Sequence, residues 1–124
     1  MTQPLALVLY ERLLPGSQVV NRLQDLNYRV LALADPKKLL ESAEQARPLL
    51  VLADLQSAHE DVCQAISRLK QNPATKHLPI IGFGADDVPD LQSAAQAAGV
   101  TLVVSEAAIL HHLPQFLEQA LQVE

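Results

Sequence analysis

Residues 48–83 read PLLVLADLQSAHEDVCQAISRLKQNPATKHLPIIGF. The apolar run 49–53 lacks period-two alternation, which marks a strand buried on both faces. In the helix-length segment 58–70, Val62, Ala65, Ile66 and Leu69 recur at the spacing of one helical face. Ser57 and Glu60 stand at its start with the spacing of a capping box. Asn72-Pro73 closes it, and Pro79 stands before a second apolar run, 80–83, where a proline can open a strand. Strand, helix and strand in this order form a crossover unit with its two strands parallel.

The same grammar extends outward in both directions. Further strands are expected at 5–10, 29–33 and 101–104. Further helices are expected at 17–26, 36–46, 89–98 and 113–123, each with an apolar stripe or an alanine-rich body. Asp35 before Pro36 is an N-cap with proline in the first turn. Gly99 suits the C′ position that ends 89–98, and Pro114 suits the start of the last helix. Strand and helix alternate five times, which predicts an α/β fold: a parallel sheet between two helical layers. Ligands of doubly wound folds sit beyond the carboxyl ends of the strands. Those ends are 10–14, 34–35, 54–58, 84–89 and 105–108.

The chain has 124 residues, expected to form one domain over 1–124. It is 49% hydrophobic with only 4 Gly, which excludes disorder and collagen-like repeats. Aromatics make up 3%, so the core must be aliphatic. A net charge of −5 argues against binding nucleic acid or an anionic membrane by neutralising phosphates. The single Cys63 excludes an intramolecular disulfide and a multi-cysteine metal site. No run is long enough to span a bilayer, and the start lacks the basic and small-residue marks of a signal peptide. A cytoplasmic location with Met1 as the mature start is the expectation.

Three stretches carry a family resemblance. QNPATKHLPIIGFGA at 71–85, PLLVLADL at 48–55 and AGVTLVVS at 98–105 resemble the receiver (CheY-like) domains of two-component response regulators. The resemblance covers the whole chain in segment order. It implies a flavodoxin-like, five-stranded parallel sheet in the order 2-1-3-4-5. It also implies that Asp54 is the phosphoacceptor position of a phosphorelay module.

The other family positions depart from the pattern. Where the family has two adjacent acids that hold Mg²⁺, this chain has Tyr10 and Glu11. The hydroxyl residue ending the fourth strand is Gly84, and the switch aromatic of the fifth strand is Val103. The lysine after that strand is Glu106, and the following proline is Ala107. Phosphoryl transfer depends on positioning and on neutralising the transferring oxygens. Replacing the lysine by a glutamate works against both Mg²⁺ and the phosphoryl group. A like-charge pair at about 4 Å costs about 4 kcal/mol at an effective dielectric of about 20. Gly84 and Val103 remove the hydroxyl and the ring that report phosphorylation in the family.

The expected function is therefore a degenerate receiver, a pseudo-receiver that binds a signalling protein without being phosphorylated. It would not be an enzyme and would use no cofactor. Glu11 and Asp54 remain candidate ligands if Mg²⁺ binds at all. The resemblance implies a histidine kinase or effector as partner. It also implies docking or homodimerisation through the last two helices and the fifth strand, at 91–99, 101–104 and 110–121. Two alternatives stand beside this: a true receiver accepting a phosphoryl group on Asp54, and a flavodoxin-like domain binding a small ligand.

Other features read as structural. Asp86 and Asp87 are turn and N-cap residues before Pro89, with an acidic cation pocket as the sharper alternative. His59, His77, His111 and His112 lack metal-binding spacing, and Cys63 reads as a small half-buried thiol. Gly82-Phe83-Gly84 lacks the dinucleotide fingerprint. The apolar loop 11–16 is either a staple onto the first helix or a partner-binding lip.

Overall fold

The computed structural model describes residues 4–10, 13–55, 59–83, 93 and 96–122. Five parallel strands form one sheet in the order β2-β1-β3-β4-β5. They are β1 Leu5–Leu9, β2 Arg29–Leu33, β3 Leu50–Asp54, β4 Ile80–Phe83 and β5 Leu102–Val104. The helices are α1 Leu13–Asp25, α2 Leu39–Ala46, α3 His59–Gln71, α4 Glu106–His111 and α5 Leu113–Gln122. This is the expected α/β architecture with the expected strand order.

Alternation along the strands sorts the sheet into two aliphatic faces. Leu7, Leu9, Val51, Ala53 and Ile80 pack with α2 and α3 residues such as Ala43, Val62, Ile66 and Leu69. Ala6, Val8, Leu50, Leu52, Ile81 and Phe83 pack with Val19 and Leu23 of α1 and with Ile109, Leu113 and Leu117. Every described residue of β3 and β4 is buried, which explains their continuous apolar sequence.

Several boundaries differ from expectation for local reasons. The third strand, expected at 49–53, runs Leu50–Asp54 because Asp54 stays in register with Phe83. The first stops at Leu9, although Tyr10 N–H still donates to the Leu33 carbonyl at 2.8 Å. The fifth begins at Leu102, because the Thr101 hydroxyl accepts the Ile80 N–H at 3.1 Å in place of a ladder carbonyl.

The helix expected at 17–26 begins earlier, at Leu13, so residues 13–16 of the expected loop are helical. Pro15 lies in the first turn, where its missing N–H breaks no intrahelical bond. The helix ends in a Schellman motif. Asn27 takes the left-handed conformation (φ 69°), Asn27 N–H bonds Gln24 at 3.0 Å, and Tyr28 N–H bonds Leu23 at 3.0 Å.

Asp35 caps as expected, accepting the Lys37 N–H at 3.0 Å, but it opens a 3-10 turn, Pro36–Lys38, before α2. The helix expected at 113–123 is preceded by the short α4, where no helix was expected. Ser105 caps α4 by accepting the Ala108 N–H at 3.0 Å. Within the helix expected at 89–98, Ser93 and residues 96–98 are helical, and Gly99 follows with φ 113°. The capping pair Ser57 and Glu60 involves a residue outside the described ones.

Candidate functional site

The carboxyl ends of the strands place one candidate acid at the centre of the sheet. Asp54 ends β3, flanked by β1 and β4, and is opposite Phe83. The register Leu9↔Ala53 sets Tyr10 beside Asp54 on the other flank. Strand alternation puts Asp54 on the α1 side, following Leu50 and Leu52. Phe83 belongs to the same face and is fully buried, and Tyr10 packs against that cluster half-buried. Asp54 is therefore the middle position of a cross-strand row whose flanking positions are Tyr10 and Phe83. Asp54 is only 1% exposed. Leu55, the next residue, is fully buried, and its N–H donates to the Phe83 carbonyl at 2.9 Å.

The other sequence candidates are placed as follows. Val103 is in register with Gly82 and packs half-buried against the α2–α3 cluster, on the opposite face from Asp54. Glu106 is the first residue of α4, and Ala107 behind it is exposed. The position that follows the fifth strand is thus a helix start, with Ser105 as its cap. Glu11, Gly84, Asp86 and Asp87 lie outside the described residues. Of the degenerate set, Tyr10 and Asp54 come together, and Val103 stands apart from them.

Leu55 reaches across β4 at Gly82. A Cβ at Gly82 would lie 2.6 Å from Leu55 Cδ1 and 3.0 Å from its Cγ. The residue after the candidate acceptor is therefore socketed into the α2–α3 core, and glycine provides the socket. Sequence reading saw Gly82 only as part of an incomplete dinucleotide pattern. No local signal links it to Leu55, because the two are adjacent only through the pairing of β3 with β4.

Other titratable groups read as structural. Cys63 on α3 is half-buried, and burial pushes its thiol pKa up, which keeps it protonated at neutral pH. His111 and His112 are exposed, with rings 6.4 Å apart, and His112 meets Phe116 edge-on at 6.4 Å. Among the described residues, no group of three or more His, Cys, Asp or Glu is placed to hold a metal ion. No helix among them is long and apolar enough to cross a membrane.

No family model and no curated protein matches the sequence. Solved structures do. A Chloroflexus aurantiacus protein described as a response regulator superposes with a TM-score of 0.88 at 19% identity, covering 98% of this chain and 99% of that one. The receiver domain of the sensor histidine kinase PA1611 of Pseudomonas aeruginosa, with a magnesium ion in its active-site cleft, gives 0.87 at 20% identity, with 98% and 99% covered. The chemotaxis response regulator CheY4 of Vibrio cholerae gives 0.83 at 20% identity, with 96% and 99% covered. The parallel sheet in the order 2-1-3-4-5 and these superpositions establish that the chain has the fold of response-regulator receiver domains.

Proposed function

We propose that the chain, as one domain over 1–124, is a pseudo-receiver: a protein-binding signalling module that works without phosphorylation of Asp54. The observation that carries this reading is the 1% exposure of Asp54. In-line transfer needs the donor phosphorus to approach the carboxylate oxygen directly. A carboxylate this deeply buried offers little path for that approach.

The donor set supports the same reading. Hard divalent cations take clustered carboxylate oxygens, and Tyr10 brings a phenol where the family brings an acid. The residues at this rim do not fit a family-type magnesium site, so no step is assigned to the metal. Glu106 in place of the lysine adds negative charge where a phosphoryl dianion needs positive charge.

Binding of a signalling partner, or of a second copy, is assigned to β5 and the helices after it. There Leu102, Val104, Leu110 and Phe116 are half-buried and His111, His112 and Gln115 are exposed. The proposed setting is the cytoplasm, with no catalytic activity.

The test is intact-mass spectrometry after incubation with Mg²⁺ and acetyl phosphate, run beside Glu106→Lys. The expected wild-type result is an unchanged mass. A phosphate adduct that disappears in Asp54→Asn would establish the alternative, a working phosphoreceiver.

A further inference from the structure

We propose that a groove at the amino-terminal end of the sheet, the end opposite Asp54, binds a small zwitterion. The ligand class is a free carboxylate and a free ammonium on an apolar body, as in an apolar α-amino acid. The groove has a volume of about 520 Å³, within the size range of small-molecule sites. It runs between the end of α2 and the turn that follows α3. This assignment is independent of the pseudo-receiver reading and concerns a different end of the molecule.

The floor is apolar and buried, formed by Ala43, Pro48 and Leu78. One wall carries an acid and a base three residues apart, Glu44 and Arg47. Glu44 turns toward Asn72 instead of Arg47: Asn72 Nδ2 donates to Glu44 Oε2 at 3.4 Å. Arg47 holds the left-handed conformation (φ 52°, ψ 60°) that ends α2, with its N–H on the Ala43 carbonyl at 3.0 Å. Glycine or asparagine is usual there. An arginine at this position keeps a forked cation on the lip of the groove at some backbone cost.

The facing wall is fixed before any ligand arrives. The Asn72 side chain accepts the Ala74 N–H at 2.8 Å. The buried Thr75 hydroxyl donates to the Leu69 carbonyl at 2.7 Å, and Lys70 Nζ donates to the Leu78 carbonyl at 2.7 Å. This wall presents only a methyl at Ala74, with His77 beside it. A wall that is already ordered spares the ligand the cost of ordering it. The Arg47 guanidinium suits the ligand carboxylate, and the Glu44 oxygens suit its ammonium. A lone anion or a lone cation would meet one matching and one opposing charge.

The test is a titration of the isotope-labelled full chain, followed by amide NMR shifts. L-leucine is the probe, with 4-methylpentanoate and isopentylamine as single-charge controls. Leucine is expected to shift amides at 43–47 and 74–78 saturably, with each control about tenfold weaker, the scale of one lost charge-assisted hydrogen bond. Arg47→Asn keeps a residue that tolerates the left-handed backbone, and Ala74→Leu fills the groove from an exposed position. Each is expected to weaken leucine about tenfold. Absence of a saturable leucine shift, controls as tight as leucine, or unchanged binding in both variants would overturn the proposal.

Discussion

Lys70 illustrates how much one side chain can settle at the residue scale. Its amine donates to the carbonyls of Leu78 at 2.7 Å and Lys76 at 3.3 Å. Its stem lies where a Cβ on Gly99 would sit, with Lys70 Cγ at 2.6 Å. One lysine thus ties the end of α3, the turn before β4 and the turn before β5. Burial pushes its pKa below the ordinary 10.5. A lowered folded value means that the unfolded chain holds this proton where the folded chain has begun to release it. This group's contribution to stability therefore rises with pH across the interval from the folded pKa up to 10.5. Lys70→Met keeps the stem and loses both carbonyl bonds. Urea melts across the alkaline range are expected to show lower stability for Lys70→Met and a flatter dependence on pH. Nothing around Lys70 in sequence announces this role, because its partners come from the next turn and the next helix end. Asp35 was legible as a cap because its partner is two residues away.

At the element scale, the interlock of Leu55 and Gly82 holds β3 against β4 just below the candidate acceptor. Leu55 is fully buried, and three of its side-chain atoms lie within 3.1 Å of where a Cβ on Gly82 would sit. Gly82→Ala is therefore expected to destabilise the fold by about 1–3 kcal/mol, the usual cost of overpacking. Leu55→Ala alone is expected to cost about 2–5 kcal/mol by leaving a cavity. In the double variant the new methyl occupies part of that cavity, so the summed losses should exceed the measured one. Chemical denaturation of the three variants gives this coupling directly. The strands themselves were legible to within a residue, because a sheet covered on both faces leaves uninterrupted aliphatic runs. The short α4 stands directly after a strand end, where a connecting turn is the ordinary expectation. Its signal was present, a serine followed by the helix formers Glu106, Ala107 and Ala108. Likewise α1 begins four residues ahead of the expected 17, because a proline fits a first helical turn.

For the whole molecule, alternation of strands and helices sufficed to predict the layered sheet, and the resemblance supplied the strand order. The candidate site was legible as a set of positions along the chain. The burial of Asp54 was not, because an aspartate at a strand end is ordinarily solvated and nothing beside it in the chain marks it as enclosed. The topology also orders the local stabilities. β1 and β3 lie inside the sheet with completely buried stretches, whereas β5 is a three-residue edge strand with half-buried residues. Hydrogen exchange is expected to be slowest in β1 and β3 and fastest in β5, the strand assigned to partner binding. Equal protection across all five strands would contradict that assignment of a loosely held edge.

The seat of Tyr10 has an optical consequence. The chain has no tryptophan and only two tyrosines, Tyr10 and Tyr28, so its near-ultraviolet emission comes from these two phenols. One of them, Tyr10, is in register beside Asp54. With Tyr28 replaced by phenylalanine, all emission excited in the tyrosine band originates at the position beside Asp54. The protein thereby carries its own unlabelled reporter for whatever reaches, or fails to reach, the acid.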